Sequence, residues 1–142
     1  MNLRSPSAIP SFPTRPVADA WLVGVACLCA AVVASANMGS AQVLWLLLAA
    51  PVLEEVVYRA GLQEALLRRY GDRGNAVALL INGFTALAFA AAHFLRQGPL
   101  LAALTVLPAL LIGALYQHQR RVLPCIGLHS LFNGLWLLWI WP

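Results

Sequence analysis

Two adjacent carboxylates, Glu54 and Glu55, lie in a stretch of chain that is otherwise apolar enough to cross a membrane. Arg59 follows one helical turn later, whereas the segment from Ala20 to Leu53 contains no charged side chain. A charge at the centre of a bilayer costs roughly 2.5–3.5 kcal/mol, so three of them cost about 8–10 kcal/mol before they pair. Folding gives no reason to keep these groups there, and they indicate a functional site.

The spacing of the three charged groups predicts how they divide. Glu55 precedes Arg59 by four residues, which is the favourable order for an ion pair within one helix. Glu54 then lies about 100° around the helix from Glu55 and has no such partner. A carboxylate in this situation is suited to act as a general base toward water. The structural alternative is a buried ion network that only holds helices together.

Two other apolar stretches carry one polar face each. His93 shares a helix face with Phe89, and His129 shares a face with Asn133 because four residues separate the members of each pair. Either face alone would also suit a hydrogen bond between neighbouring helices. Since polar groups in lipid need partners on other helices, we expect all three faces to converge on one hydrated cavity.

The side chains in this set have the chemistry of peptide hydrolysis. A carboxylate can deprotonate water, an imidazole can orient that water or protonate a leaving amine, and a His/Asn pair can donate hydrogen bonds to an oxyanion. A zinc site made of Glu54, His93 and His129 is the alternative, although the sequence has no His-Glu-x-x-His stretch.

The composition is that of a membrane protein. Of the 142 residues, 61% are hydrophobic and only 10% are charged, against about 25% charged in soluble domains. The apolar runs are continuous rather than alternating, which excludes a β-barrel, and no cluster of basic residues suits a nucleic acid. We therefore predict an all-α, polytopic transmembrane bundle with a four-helix catalytic core. Five spans of about 20 residues are predicted near 17–36, 41–67, 76–95, 99–117 and 122–141.

The arginines predict the topology of the bundle. Seven of them fall on one side if the spans alternate, and Arg96 alone falls on the other. This bias places the N-terminus in the cytoplasm and the C-terminus outside, in an inner or plasma membrane. Residues 1–16 are rich in proline and are predicted to form a flexible cytoplasmic lead, with residues 17–142 as the membrane domain. Residues 1–36 also have features of a secretory signal, but another span follows after a short gap.

The depths of the polar groups present a difficulty. Counted from the cytoplasmic ends of the predicted spans at about 1.5 Å per residue, Glu54 lies about 20 Å deep and His93 about 26 Å. His129 lies only about 10 Å deep by the same count. Tilt of the helices, or a third span that begins later than Ala76, would close this difference.

The three motifs, taken in order on successive helices, resemble those of a known family. Glu-Glu-x-x-x-Arg, Phe-x-x-x-His and His-x-x-x-Asn are similar to the motifs of the CPBP (CAAX protease and bacteriocin-processing, or Abi) intramembrane glutamic endopeptidases. The resemblance covers about residues 45–140. Each motif alone is weak evidence, but the ordered trio in a hydrophobic bundle is specific.

The resemblance implies an endopeptidase that cleaves a membrane-associated protein or peptide near its C-terminus. Glu54 and His93 would activate water, and His129 and Asn133 would form the oxyanion hole. It also implies a mechanism that needs no metal cofactor. The substrate itself is left open, although the short chain is closer in size to bacterial members that process sorting tails or bacteriocins than to those that act on prenylated proteins.

In the same resemblance Glu55 and Arg59 are supporting residues. The first alternative is a non-enzymatic immunity or partner-binding membrane protein that has the same fold. The second is a small transporter or channel with an intramembrane proton or metal relay, which the absence of a sequence repeat disfavours. The three cysteines, Cys27, Cys29 and Cys125, are predicted to be small buried apolar residues.

Overall fold

The computed structural model describes residues 39–140, apart from the side chains of Ser40, Arg96 and Ile140. The predicted lead, the predicted first span at 17–36, and Cys27 and Cys29 lie outside the described residues. All regular structure within 39–140 is helical, which confirms the all-α class. The helices are α1 (residues 40–70), α2 (Asn75–Gln97), α3 (Pro99–Gln119) and α4 (Val122–Ile140), and a short 3₁₀ turn, Gly71–Arg73, follows α1.

Four helical segments are long and apolar enough to cross a membrane, which confirms a polytopic helical bundle. Three of them agree with the predicted spans to within a few residues. The first is longer than predicted, because the helical chain continues through the arginine-rich stretch after residue 67. These segments are Ala41–Arg73, Asn75–Leu95, Pro99–Gln119 and Val122–Trp139.

Glycine separates two pairs of neighbouring helices. Gly74 has φ 113° and Gly98 has φ 80°, both in the region that residues with a side chain rarely adopt. Pro99 then begins α3, where its missing N–H costs nothing because the first turn of a helix has no partner for it. These breaks fold the apolar helices back on one another within a few residues.

The helix α1 alternates between α and π geometry around the glutamates. Its segments are α (Ser40–Leu44), π (Trp45–Ala49), α (Ala50–Glu55), π (Val56–Gln63) and α (Glu64–Tyr70). Single π turns inside α-helices occur frequently at functional sites. The segment that carries both carboxylates is therefore bounded on each side by a widened turn.

Pro51 lies next to the first of these turns. The sequence predicts that this proline kinks the helix and frees a carbonyl near Leu47. Ala50 donates its N–H to the carbonyl of Trp45, five residues earlier. The same register would pair residue 51 with Leu46, but proline has no N–H to donate. The freed carbonyl is thus that of Leu46, one residue earlier than the α-helical register predicts.

One buried cluster joins all four helices near the α1–α2 turn. Its members are Leu67, Ile81, Ile112, Tyr116 and Cys125, and the burial of Cys125 agrees with the prediction for it. This packing fixes the relative heights of the helices close to the polar site.

The start of α4 resolves the difficulty over depth. Gln117, near the end of α3, donates to the carbonyl of Ala78 near the start of α2. Cys125, near the start of α4, instead contacts the carbonyl of Ile112, about two turns before the end of α3. Helix α4 therefore begins deeper in the bundle than α2 does. A third span that begins late is excluded, because α2 already starts at Asn75.

Candidate active site

Side chains from three helices meet near the middle of the bundle. Oε2 of Glu54 on α1 lies 3.9 Å from Nε2 of His93 on α2 and 3.6 Å from Nε2 of His129 on α4. The three side chains are 23%, 16% and 8% exposed, respectively. These separations exceed a direct hydrogen bond, but one water oxygen about 2.8 Å from each atom would fit between the carboxylate and an imidazole.

The hydrogen bonds of the two imidazoles determine where their protons lie. Nδ1 of His93 is 3.0 Å from the carbonyl of Phe89, which can only accept, so Nδ1 carries the proton. Nδ1 of His129 is 2.8 Å from Oε1 of Glu55, a carboxylate that accepts when ionised. In their neutral forms both rings therefore present an unprotonated Nε2 toward Glu54.

Glu55 is held from both ends. Its Oε2 accepts from Nε of Arg59 at 3.0 Å, which is the intrahelical ion pair that the spacing predicts, and its Oε1 accepts from His129. The side chains of Glu55 and Arg59 are fully buried. Arg59 also donates from NH2 to the carbonyl of Ala109 on α3 at 3.1 Å. The ion pair thus links α1, α3 and α4 around the site.

Phe89 packs against both imidazoles. Its ring centroid lies 4.3 Å from that of His93 and 5.8 Å from that of His129. Tyr58 contacts the same ring edge-on at 5.1 Å. Phe89 is buried, so it restricts the rotation of both histidines and excludes water from one side of each ring.

Asn133 lies one turn after His129 on the same face of α4. It donates from Nδ2 to the carbonyl of Leu46 at 2.8 Å, which is the carbonyl that Pro51 leaves free. The second N–H of Nδ2 is available for another acceptor. The proline therefore contributes to the site by giving Asn133 a fixed partner on α1.

A cavity of about 150 Å³ opens beside the two imidazoles. His93, His129 and Asn133 line it together with apolar side chains of α3 and α4, whereas Glu54 is not among the lining residues. The carboxylate reaches the cavity through its approach to the two Nε2 atoms. The lining residues are Arg59, Phe89, His93, Gln97, Leu101, Leu104, Thr105, Pro108, Ala109, Ile112, His129, Phe132, Asn133 and Trp136.

The zinc alternative would use Glu54, His93 and His129 as ligands. Among residues 39–140, no group of three or more His, Cys, Asp and Glu side chains has an arrangement that could hold a metal ion. The separations of Glu54 from the two histidines, 3.9 and 3.6 Å, suit a shared water.

The sequence of residues 35–135 matches the sequence model of the type II CAAX prenyl endopeptidase Rce1-like family. The chain belongs to this family. The match spans most of the chain and all three motifs, which confirms the resemblance to the CAAX proteases. No curated protein and no solved structure matches the chain. Membership in this family, with four apolar helices, implies a membrane-embedded peptidase of the CAAX type that acts on a membrane-associated protein.

Three residues near the site were missed at the level of sequence. Gln63 is fully buried and bonds both Arg59 and the carbonyl of Gly113. Asn82 on α2 donates to the carbonyl of Leu110 at 3.1 Å. Four-residue spacing from Arg59 could have indicated Gln63. Asn82 was noticeable only as a polar group in an apolar span, and Gly113 gave no signal, because their importance depends on which faces of α2 and α3 meet.

Gly113 lies where α3 meets its neighbours with no room for a side chain. A Cβ atom there would overlap Oδ1 of Asn82 and would lie 3.0 Å from NH1 of Arg59. We expect Gly113→Ala to lower the free energy of unfolding by about 1–3 kcal/mol, because Asn82 must move and the fit is already tight. Denaturant unfolding in detergent measures this loss.

The matched control for Gly113 is Gly83→Ala on α2. A Cβ at Gly83 would meet no atom within 4 Å, and alanine is the better helix former by about 0.5–1 kcal/mol. This variant should therefore be as stable as the wild type or more so. Equal stability of the two variants would show that α3 is not held this closely against Arg59.

Proposed function

We propose that this chain is an intramembrane endopeptidase that hydrolyses a peptide bond near the C-terminus of a membrane-associated protein, with Glu54 as the base that activates water. The observation that carries the proposal is the approach of Oε2 of Glu54 to within 3.9 Å of Nε2 of His93 and 3.6 Å of Nε2 of His129, two imidazoles that line a cavity. Membership in a peptidase family supports the same reaction class.

The proton positions suggest how the water is oriented. A water that donates one hydrogen to Oε2 of Glu54 can donate the other to the unprotonated Nε2 of His93. Glu54 takes a proton as the water oxygen bonds to the carbonyl carbon of the substrate. When the C–N bond breaks, that proton passes to the leaving amine. Glu54 is then ionised again and ready for a second cycle.

The oxyanion that forms during this attack needs hydrogen-bond donors. Asn133 has one N–H of Nδ2 left after its bond to Leu46. His129 can donate from Nε2 only when both ring nitrogens carry protons, because Nδ1 already donates to Glu55. The carboxylate of Glu55 fixes the orientation of the ring through its bond to Nδ1, which makes Glu55 a supporting residue for the oxyanion hole.

The arginines support the orientation in which the α1–α2 and α3–α4 turns face the cytoplasm. Both turns lie at one end of the bundle, where Glu64 accepts from Arg68 and from Arg120. The sequence around the turn at the opposite end carries Arg96 alone. This distribution follows the excess of basic residues in cytoplasmic loops.

Replacement of His129 tests the assignment of the oxyanion hole. We expect His129→Ala to lower kcat by about 10²–10³-fold, since a lost oxyanion donor costs this much in other hydrolases, while insertion into the membrane is unchanged. Cleavage of a tagged peptide in proteoliposomes measures the rate. His118→Ala is the matched control. His118 is exposed at the end of α3, so this variant should cleave the peptide at the wild-type rate. A wild-type rate for His129→Ala would remove this residue from the mechanism.

A further inference from the structure

Gln63 forms the last link of a buried chain of hydrogen bonds that begins at the candidate catalytic histidine. Its Oε1 accepts from NH1 of Arg59 at 3.0 Å, and its Nε2 donates to the carbonyl of Gly113 at 3.0 Å. The side chain is fully buried at the end of the second π segment of α1. The amide oxygen therefore has a donor, Arg59, and the amide nitrogen has an acceptor, the carbonyl of Gly113.

Few side chains could replace this amide. The guanidinium of Arg59 can only donate and the carbonyl of Gly113 can only accept, so the amide oxygen and nitrogen have one possible orientation. Glutamate has the same shape, but it has no donor for the carbonyl when it is ionised. Methionine has a similar length, but it offers neither a donor nor a strong acceptor.

Arg59 depends on this amide for its own position. Its guanidinium donates to Glu55, to Gln63 and to the carbonyl of Ala109, so its plane is fixed by groups on α1 and α3. Gln63 adds a second attachment to α3, one turn after Ala109 on that helix. Without Gln63, NH1 of Arg59 would lose its acceptor in a fully buried site.

The position of Arg59 is passed on to His129. Arg59 holds Oε2 of Glu55, and the other oxygen of that carboxylate accepts from Nδ1 of His129 at 2.8 Å. A rotation of the guanidinium would therefore turn the carboxylate and weaken its bond to the imidazole. The partner of one ring nitrogen selects the tautomer of a histidine, and with it the state of the other nitrogen.

The geometry points to Gln63 as a positioning residue that, through Arg59 and Glu55, keeps a proton of His129 on Nδ1 and its Nε2 directed toward Glu54 at the edge of the cavity. Its effect on catalysis rests on the proposed function, whereas its effect on the imidazole does not. Asn82 provides the comparison, since it also donates from a buried amide to an α3 carbonyl, that of Leu110, but forms no bond to Arg59.

The experiment compares Gln63→Met and Gln63→Glu with Asn82→Leu in the full chain, reconstituted in nanodiscs. The protein contains three histidines, so ¹⁵N-histidine NMR resolves few signals, which replacement of each histidine in turn assigns. His118 is exposed and serves as the internal reference. The second readout is kcat and KM for a tagged peptide, which separates a loss of positioning from a loss of binding.

We expect both Gln63 variants to move the His129 signal away from the Nδ1-protonated pattern and to leave His118 unchanged. Cleavage should lose on the order of 10-fold or more in kcat with little change in KM. Asn82→Leu should keep the wild-type His129 signal and kcat even where it lowers stability. Gln63→Glu keeps the shape of the side chain, so it carries the test where Gln63→Met does not fold.

A His129 signal that is identical in the wild type and in the Gln63 variants would overturn the inference. A loss of kcat that Asn82→Leu shares to the same extent would also overturn it, because the role of Gln63 would then be structural only. A wild-type protein that cleaves no peptide would count against the proposed function, and the NMR comparison would still decide the role of Gln63.

Discussion

Glu54→Gln should abolish cleavage, with a fall in kcat of about 10²–10⁴-fold, which is the contribution of a positioned general base. The amide has the shape of the carboxylate but cannot take a proton from water. Because Glu54 has no hydrogen bond to a side chain of the described residues, the variant should insert and fold like the wild type. Cleavage of a membrane-tethered peptide in proteoliposomes, together with the unfolding midpoint in detergent, measures both properties.

Glu64→Gln is the matched control for this prediction. Glu64 lies on the same helix and accepts from Arg68, Arg120 and Tyr116, away from the two imidazoles. This variant should retain activity. Cleavage by Glu54→Gln at the rate of Glu64→Gln would eliminate Glu54 as the base.

A metal-binding experiment distinguishes a role of Glu54 as the general base from a role as a metal ligand. The proposed mechanism predicts that prolonged treatment with a chelator leaves the wild-type rate unchanged. The opposite result is stoichiometric zinc in the purified protein that is lost together with activity on chelation, with activity restored when zinc is added back. That result would assign Glu54, His93 and His129 as metal ligands.

Arg59→Met should give the largest loss of stability in the chain, about 3–5 kcal/mol, because it leaves the carboxylate of Glu55 buried without its countercharge. Both members of this pair are fully buried, so the unpaired carboxylate would be cut off from bulk water. The midpoint of denaturant unfolding in detergent measures the effect. Activity should fall as well, since the same carboxylate orients His129.

A similar ion pair on the protein surface provides the control. Arg68 pairs with Glu64 at the same four-residue spacing on α1, but its side chain is 79% exposed. Arg68→Met should therefore leave the unfolding midpoint close to that of the wild type. The double variant Glu55→Gln, Arg59→Met should recover part of the loss, because the unpaired charge is removed. An unfolding midpoint for Arg59→Met equal to that of Arg68→Met would contradict the burial of this pair.

The sequence alone was sufficient for the features that depend on local spacing. Four-residue intervals placed Glu55 beside Arg59 and His129 beside Asn133, and the length of the apolar runs predicted the helices to within a few residues at most ends. The order of the three motifs identified the family. These features are readable because the period of a helix determines which side chains share a face.

The features that depend on how helices meet could not be predicted in this way. The contact of Cys125 with the carbonyl of Ile112 reflects the height of α4, and neither residue indicated it. The bond from Asn133 to Leu46 depends on a π register that Pro51 alone does not specify. The sequence does not distinguish Gly113 from other glycines in apolar helices, because its importance comes from the packing of Asn82 against it.

The most direct test of the mechanism is an experimental structure of the chain in lipid at a resolution that shows ordered water. The mechanism predicts a water oxygen within hydrogen-bond distance of Oε2 of Glu54 and of Nε2 of His93. It also predicts a hydrogen bond from Nδ1 of His129 to Glu55. Imidazoles that face away from Glu54, or a metal ion where that water should lie, would contradict it.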